Sequence, residues 1–556
     1  MNKNFKLIAS VLGFVLCLTV GAFGQRTSGN IEGTVTDPNG AAVAGATVTL
    51  KASGSTSGFS ATTTANDSGF FQFTQISPGS YTLTSTANGF KRSTQEVQVT
   101  VDKTTSISPR LEVGSGEVTV EVTSDSAVSI DLGNTKIDTN ITKRIIEDLP
   151  AGVTFASLLK IAPNVRPELG GFQIDGASGS ENVFIIDGQE VTNFRTGSLD
   201  SNFNLPFELV QEVQVKSTGY EAEYGGATGG IVNVVTSGGN DTWRGSFGAS
   251  FKPSQLQANP REALASFNTG VGGVSTTNLP GNTTYFQPAK DGGTDFFPVA
   301  SISGPIAKGK LWFSGSYAPQ IFETTRDITY YSSSDPLSSA TNPAARIVNS
   351  NGTIRYQSNV RQENMFVRLD AQPFSTLRAF ATFLYNPTIQ DGLLPGTAEG
   401  LGGSPQAVNF GGSTGILRGS DLLAQQGGRQ NANAFNSGVT YNPTNWTIFN
   451  FRFGRSFLNE KLASYGLARV TRVLCSQVSG TATAAQTGCA QGFQNVASNS
   501  QVNYDVSTRT TIDADAGLVG LNAGGRHNLK FGYQFNRLFN TVDRGYTDLG
   551  IIQLFY

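Results

Sequence analysis

Residues that could carry covalent chemistry are scarce in this sequence of 556 residues. His527 is the only histidine, and no serine lies in the context of a nucleophile elbow. Four carboxylates stand out: Asp175, Asp187, Glu221 and Glu223. Their spacing is not that of a metal site, so we interpret them as turn and surface residues. The sequence therefore predicts neither an enzyme nor a metal centre, and we expect no cofactor.

The composition favours an all-β protein. Charged residues make up 14% of the chain, glycine occurs 65 times, and the net charge is -2. This low-charge, turn-rich balance is typical of β proteins and gives no electrostatic reason to expect a nucleic-acid partner. The chain is too long for one ordinary domain, so we expect several domains or one very large β structure.

The amino terminus has the pattern of a secretory signal peptide. Lys3 and Lys6 precede an apolar run, residues 7–20, which is followed by Ala22 and Gly24. A signal peptidase reads small residues at two such positions, so we predict a signal peptide over residues 1–24 with cleavage after Gly24. The alternative is a membrane anchor, but a helix needs ~20 apolar residues to cross a bilayer.

The three cysteines fall into two groups. Cys17 lies in the signal segment and follows Leu16 rather than a small residue, so lipoprotein processing is not expected. Export would place the other two, Cys475 and Cys489, in an oxidising setting. We predict that they form a disulfide within an external loop.

The rest of the chain is organised around one stretch, residues 208–239, with two strands. The first strand alternates and places Val213 and Val215 on one face. The second, Ile231–Thr236, lacks clean alternation, which is typical of a strand covered on both faces. The turn between them leads into four glycines, Gly225, Gly226, Gly229 and Gly230, which allow positive φ and close approach of neighbouring backbone.

This order of strand, tyrosine–glycine turn and glycine-glycine-isoleucine-valine-asparagine strand resembles the end of the plug domain of TonB-dependent outer-membrane receptors. The residues that carry the resemblance are Tyr220, Tyr224, Gly225, Gly226, Gly229, Gly230 and Asn233. Another β protein with a glycine-rich turn is the alternative. The resemblance implies a small sheet enclosed by a larger structure.

Residues 28–113 show repeated short strands separated by turns. Ile31, Gly33 and Val35 alternate with polar residues up to a turn at residues 37–40, and similar runs follow. This pattern predicts a β-sandwich of about seven strands, of the immunoglobulin-like or prealbumin-like kind. The segments GTVTDPNGAAVAGATVTL, NDSGFFQF and PGSYTL resemble the carboxypeptidase regulatory-like domain, whose fold is carbohydrate-binding-like. We expect a spacer or interaction module, with glycan binding as the alternative.

A glycine hinge and an extended segment follow at residues 114–124. The extended residues are Glu117, Val118, Thr119, Val120, Glu121 and Val122. An exposed extended segment between two domains can add to the sheet edge of another protein. The segment resembles the TonB box, which implies a TonB-like periplasmic energy-coupling protein as partner. The alternative is the last strand of the sandwich or the first strand of the plug.

We predict an α+β plug domain over residues 125–241. A first helix is predicted with Thr139 or Asn140 as cap, Pro150 as end, and one face formed by Ile141, Ile145 and Leu149. A second is predicted to start at Thr154, with an inner face formed by Phe155, Leu158, Leu159 and Ala162. The segment NVFIIDGQEV predicts a hairpin with a two-residue turn at Asp187–Gly188.

Residues 242–556 have the pattern of a transmembrane antiparallel β-barrel. Apolar and polar residues alternate in segments that contain Trp243, Met365, Phe449 and Leu529. Lipid outside the barrel and water inside it require this alternation. Short turns at residues 304–309, 372–376, 442–445 and 522–526 are separated by long loops, as in outer-membrane barrels. A soluble β-solenoid, the alternative, would not alternate short turns with long loops.

The sequence predicts about nine barrel strands, whereas a barrel with a plugged lumen has about twenty-two. We therefore expect this chain to be the amino-terminal part of a longer protein. Its order of regulatory-like domain, plug and very long loops resembles the Oar-like receptors.

The resemblance implies a receptor in the outer membrane of a Gram-negative cell, in contact with outer-membrane lipid. It would bind a bulky ligand, such as a glycan, a peptide or a protein, at its external loops and gate its passage by plug movement. The alternative is a surface-anchored adhesion or carbohydrate-binding protein that uses the barrel only as an anchor.

Overall fold

The computed structural model describes residues 28–53, 59–114, 117–119, 137–148, 154–168, 170–220, 224–266, 283–332, 349–397, 427–444, 446–460, 471–476, 501–522, 526–545 and 550–555. The predicted signal peptide lies outside them. Among the described residues, no helix is both long and apolar enough to cross a membrane.

The described residues between 29 and 119 form the predicted β-sandwich. Its strands are β1 (Gly29–Thr34), β2 (Thr47–Ala52), β3 (Ser60–Thr64), β4 (Phe70–Ile76), β5 (Gly79–Thr86), β6 (Arg92–Val99), β7 (Thr104–Ser106) and β8 (Glu117–Thr119). They form two sheets, with the strand orders β4-β1-β7 and β3-β2-β5-β6-β8. The alternating apolar residues point inward, and Ile31, Leu50 and Tyr81 are fully buried between the sheets.

The plug domain is built around one five-stranded sheet. Its elements are β9 (Ile137–Thr142), α1 (Lys143–Asp148), α2 (Phe155–Leu158), β10 (Val165–Glu168), β11 (Gly171–Ile174), β12 (Val183–Ile186), β13 (Gln189–Glu190), β14 (Val210–Thr218) and β15 (Ile231–Thr236). Short 3-10 helices are Leu159–Ile161, Gly179–Glu181, Ser201–Phe203 and Phe207–Leu209. The central sheet has the order β13-β12-β15-β14-β9. All six residues of β15 are buried, so the prediction that both its faces are covered is confirmed.

The prediction of the first plug helix is wrong for the amino-terminal half of that helix. Thr139, Asn140 and Ile141 belong to strand β9, and α1 begins only at Lys143. Ile141 lies opposite Val213 of β14 and is buried there. Pairing with a central strand therefore outweighs the four-residue spacing of the isoleucines, because β9 fills the open edge of β14. Leu149 and Pro150 lie outside the described residues.

The second helix and the hairpin are confirmed. Thr154 has the extended conformation of a helix cap, with φ -127° and ψ 161°, and Phe155 and Leu158 are buried. Strands β12 and β13 are joined by Asp187 and Gly188, whose φ angles are 48° and 84°. Two successive positive φ angles are those of the primed turn that the aspartate–glycine pair predicts.

The remaining strands continue to the end of the chain. They are β16 (Arg244–Pro253), β17 (Ala263–Ser266), β18 (Thr283–Phe286), β19 (Thr294–Ala307), β20 (Leu311–Tyr317), β21 (Gln320–Ser332), β22 (Asn349–Gln362), β23 (Met365–Phe374), β24 (Leu377–Tyr385), β25 (Thr388–Asp391), β26 (Gly427–Thr444), β27 (Thr447–Asn459), β28 (Arg472–Ser476), β29 (Gln501–Asn522), β30 (Arg526–Gly545) and β31 (Ile551–Phe555). A 3-10 helix, Ser254–Leu256, follows β16.

Twelve of these strands form one barrel-like sheet, from which β17, β18, β28 and β31 are excluded. Three pairs, β20 with β21, β22 with β23 and β24 with β25, are each parts of one chain segment with a short break. The twelve strands of the described sheet thus lie on nine segments of the chain, as predicted. The predicted short turns connect β19 to β20, β23 to β24, β26 to β27 and β29 to β30.

The two faces of this sheet differ as the alternation predicts. Outward side chains such as Phe247 and Phe531 are exposed, with relative exposures of 86% and 58%. Inward side chains such as Phe366, Arg368 and Asp515 are buried. The outer face is therefore apolar and suited to lipid, while the inner face holds most of the charge.

Candidate plug interfaces and coupling segment

The tyrosine–glycine turn of the plug is closed by its first tyrosine. The Tyr220 hydroxyl lies 3.0 Å from the carbonyl oxygen of Ala227 and 3.1 Å from that of Gly229, within hydrogen-bond distance of both. The rings of Tyr220 and Tyr224 meet edge to face, with centroids 6.4 Å apart. Tyr224 also lies under the Lys216 ammonium, which is 4.1 Å from the ring centroid. The turn is thus tied to strand β14.

Two of the four glycines are required by close packing. A Cβ at Gly230 would lie 2.6 Å from the Ile174 side chain, and one at Gly229 would lie 2.6 Å from Asn182 Oδ1. Gly226 has φ +84°, and Gly225 has open space around it. Asn233 is buried on β15, opposite Gln214 of β14. Glu221 and Glu223 lie outside the described residues.

The plug contacts the barrel wall through a continuous apolar core. The plug residues Phe184, Ile186 and Phe203 belong to the same buried cluster as inward side chains of the wall. Those wall residues are Phe366, Leu384, Ala432, Ala434 and Leu458. The inner face of the sheet is therefore partly apolar where the plug lies against it.

A buried ionic contact joins the plug hairpin to the barrel wall. Asp187 Oδ1 lies 3.3 Å from Arg368 Nη1 and accepts a hydrogen bond from the Thr236 backbone N–H at 3.0 Å. Arg368 also pairs with Asp370 of its own strand at 2.8 Å. Burial raises the pKa of the Asp187 carboxyl, and the Arg368 guanidinium opposes that shift. The interpretation of Asp187 as a surface residue is wrong, because the hairpin tip is enclosed by the wall, whereas Asp175 lies at an exposed turn.

Further ion pairs join the plug to the long-loop ends of the barrel strands. Arg195 pairs with Asp505 at 2.6 Å and with Glu460. Arg509 pairs with Glu190 of the plug at 2.5 Å. Sequence reasoning did not identify these residues, although a charged residue on the inward face of a barrel strand is a usable signal for a plug contact.

The sandwich lies at the opposite, short-turn end of the strands. Arg378, next to the turn between β23 and β24, donates a hydrogen bond to the Thr74 carbonyl oxygen at 3.1 Å and lies 4.3 Å from the Phe59 ring centroid. Gln372, at the other side of that turn, donates to the Ser60 carbonyl oxygen at 3.3 Å.

The first residues of the candidate coupling segment form an edge strand of the sandwich. Glu117, Val118 and Thr119 form β8, which pairs in parallel with the start of β6 and is the outermost strand of its sheet. Val120, Glu121 and Val122 lie outside the described residues. The coupling role of the segment stays a prediction, and the first half of it is a strand attached to the sandwich.

The predicted disulfide also stays a prediction. Cys475 lies on β28, which pairs with β31, but its side chain and the whole of Cys489 lie outside the description. In the part of the chain that the structure describes, no group of three or more histidine, cysteine, aspartate or glutamate residues could hold a metal ion.

Comparisons with known proteins agree with this architecture. Residues 30–112 match the model of the carboxypeptidase regulatory-like domain, and residues 133–231 match that of the TonB-dependent receptor plug domain. The TonB-dependent transporter Oar of Myxococcus xanthus is 28% identical over 341 residues. That alignment covers 59% of this chain but 30% of Oar, so the chain spans under a third of the relative that it matches.

Two solved structures are more distantly similar. The transporter YddB of Escherichia coli has a TM-score of 0.41 and 14% identity, over 72% of this chain and 54% of its own. The siderophore receptor PirA of Acinetobacter baumannii has a TM-score of 0.43 and 13% identity, over 71% of this chain and 47% of its own. The family matches and the described fold together identify this chain as one that carries a carboxypeptidase regulatory-like domain followed by the plug domain of TonB-dependent receptors.

Proposed function

We propose that this chain belongs to an outer-membrane transporter that binds a bulky ligand at its external loops and admits it by moving the plug. The observation that carries the proposal is the shared core of plug and wall, in which Phe184 of the plug and Phe366 of the wall are buried together. A domain seated in this way blocks the barrel until it moves. The exposed outer aromatics, such as Phe531, provide the lipid-facing surface.

The plug interface supports movement rather than permanent closure. Its apolar cluster is bordered by the ion pairs of Asp187, Arg195 and Glu190 with the wall. Buried ion pairs add little net stability, because the cost of dehydrating the charges offsets their attraction. The ion pairs therefore determine the position of the plug but add little to the free energy that is needed to separate it from the wall.

We infer that a TonB-like periplasmic protein binds the segment formed by residues 117–122 and supplies the force that moves the plug. Among the described residues, β8 is the outermost strand of its sheet, so in that part of the chain one of its edges can accept a further strand. Main-chain hydrogen bonds to an added strand would supply the affinity.

The alternative, a surface-anchored adhesion protein, has less support. Contacts of Gln372 and Arg378 with the sandwich lie at the short-turn end of the strands. Short turns of outer-membrane barrels face the periplasm. A sandwich in that position faces away from the cell surface and is poorly placed to bind an external glycan.

The coupling proposal is tested by binding of the purified periplasmic domain of the energy-coupling protein. Val120→Pro removes an N–H donor in the extended segment, whereas the matched control Val120→Ile keeps it. We expect Val120→Pro to weaken binding about tenfold or more, which corresponds to the loss of one or two hydrogen bonds. Equal binding by both variants would place the coupling site elsewhere; failure of the proline variant to reach the membrane would make these residues a structural strand.

A further inference from the structure

Strand β14 of the plug carries a buried polar stripe, formed by Glu212, Gln214 and Lys216. These side chains share one face of the strand, and their residues are at most 1% exposed. The valines between them lie on the opposite face and contribute to the plug core. Buried charges and amides are costly unless they are paired. The polar stripe therefore requires partners on the face that lies away from the plug core.

Each residue of the polar stripe contacts the same turn of the sandwich, residues 100–103, which joins β6 to β7. The Val101 backbone N–H donates a hydrogen bond to Glu212 Oε1 at 3.0 Å. Gln214 Nε2 donates to the Val101 carbonyl oxygen at 3.2 Å. Lys216 Nζ forms an ion pair with Asp102 Oδ2 at 2.5 Å, and neither side chain is exposed. One turn thus matches three successive polar positions of one strand.

The neighbouring strand β9 completes this contact. Asn140 Nδ2 donates to Glu212 Oε1 and to the Val101 carbonyl oxygen. Asp138 accepts a hydrogen bond from Gln214 Nε2 at 2.7 Å and lies 3.4 Å from Lys103 Nζ. Burial raises the pKa of Glu212 to about 7, while Asn140, the Val101 N–H and Lys103 act in the other direction. The contact is polar throughout, and its centre at Glu212, Gln214 and Lys216 is buried.

The same turn is connected to the candidate coupling segment. Strand β6 leads directly into residues 100–103, and its first residues pair with β8. Force on β8 would therefore act on the strand that ends in the turn. This connection is mechanical and involves a single strand of the sandwich.

We propose that the turn at residues 100–103 is a latch on the plug, and that it must leave the polar stripe before β14 can be displaced. The sandwich is then a part of the closing mechanism rather than a spacer. The latch does not depend on the identity of the ligand or of the coupling protein, because both of its halves belong to this chain.

The test is chemical labelling of Lys216 in the purified, detergent-solubilised protein. An amine-reactive acetylating reagent and peptide mass spectrometry measure the labelling rate, with the exposed Lys51 of β2, outside the latch, as internal reference. Asp102→Asn removes the carboxylate that pairs with Lys216 and should raise the labelling rate of Lys216 about tenfold or more, equivalent to about 1.4 kcal/mol. Asp67→Asn, at an exposed turn of the same sandwich, is the matched control and should change nothing.

A second variant tests the contact from the side of the plug. Lys216→Met leaves Asp102 without its ammonium, so the turn should separate and the Val101 amide should exchange with deuterium about tenfold faster or more. Heat-dependent gel mobility shows whether the barrel is folded in each variant. Slow labelling of Lys216 in folded Asp102→Asn, or unchanged exchange of the Val101 amide in Lys216→Met, would overturn the proposal. So would rapid labelling of Lys216 in the wild-type protein.

Discussion

The two faces of the plug sheet are built in opposite ways. One face, with Val213, Val215, Val232 and Val234, joins an apolar core that continues into the barrel wall. The other face presents the polar stripe of β14 to the sandwich. Apolar burial stabilises in proportion to area, whereas a buried ion pair approximately balances its own dehydration cost. The first face therefore stabilises the plug, and the second determines where the sandwich attaches and allows it to detach.

This difference shows that burial alone does not identify a permanent interface. Val215 and Lys216 are adjacent in sequence and both buried, yet their contacts have different consequences for movement. A plug held by apolar contacts on both faces would be stable but hard to displace. We rank three predictions by their expected effect on the free energy of unfolding of the plug.

The largest effect is expected on the apolar face. Phe184→Ala removes a ring that is 1% exposed and lies in the core shared with the wall. We expect a loss of about 3–5 kcal/mol, the usual range for a buried phenylalanine. Urea unfolding followed by near-UV circular dichroism in micelles measures it. Phe194→Ala, at a half-exposed plug residue, is the control, and an equal loss there would contradict the assignment of the core.

An intermediate effect is expected at the ionic border of that face. Asp187→Asn keeps the turn conformation and an acceptor for the Thr236 N–H, but it removes the charge that faces Arg368. Arg368 retains Asp370, so we expect a loss of about 1–3 kcal/mol rather than the full cost of an isolated buried charge. The same urea titration measures this loss.

Asp175→Asn is the matched control for that substitution. Asp175 and Asp187 both have positive φ, at 49° and 48°, but Asp175 is exposed. Asparagine tolerates this conformation, so the control should be close to neutral. If both substitutions lower the free energy of unfolding by the same amount, the loss at residue 187 comes from the turn. The contact of Asp187 with the wall then contributes nothing measurable.

Much of the fold follows from local sequence patterns, because those patterns are dictated by local physical constraints. The aspartate–glycine pair determines the hairpin turn, and the alternation around Phe531 follows from lipid on one side of the sheet and water on the other. Ile141 could not be assigned by its spacing, because its state depends on pairing with Val213, which is remote in sequence. Strand pairing between remote segments is the part that a local pattern does not encode.

Only part of the candidate site could be predicted from the sequence, for the same reason. Tyr220, Gly229 and Gly230 were found because close packing requires particular residue types at fixed positions. The polar stripe was missed, although a signal was present: Glu212, Gln214 and Lys216 occupy every second position of a strand predicted to be enclosed. Polar residues on the covered face of a strand indicate a polar partner. The partner lies more than a hundred residues earlier, in the sandwich, where no local pattern identifies it.

The most specific effect is expected at Glu212, and it is the smallest of the three when it is compared over a single pH unit. Its pKa is raised to about 7 in the docked protein, mainly by burial, from the ordinary glutamate value of 4.5. Between these two pH values, the Glu212 carboxyl is therefore protonated in the docked state and deprotonated in the separated or unfolded state. The stability that Glu212 contributes to the docked state is therefore fully present below pH 4.5 and is lost as the pH rises to about 7. The loss is at most about 1.4 kcal/mol per pH unit.

Glu212→Gln removes this titration while keeping an oxygen that can accept the Val101 N–H. Other buried carboxyl groups in the plug, Asp187, Asp200 and Glu208, also have raised pKa values and affect both proteins alike. The melting temperature of the wild type minus that of Glu212→Gln should therefore fall between pH 5 and 7 and then stay level up to pH 8. Intrinsic tryptophan fluorescence during heating measures both proteins in the same buffers. A difference that does not change with pH would show that Glu212 titrates normally and that water reaches the latch even when it is closed.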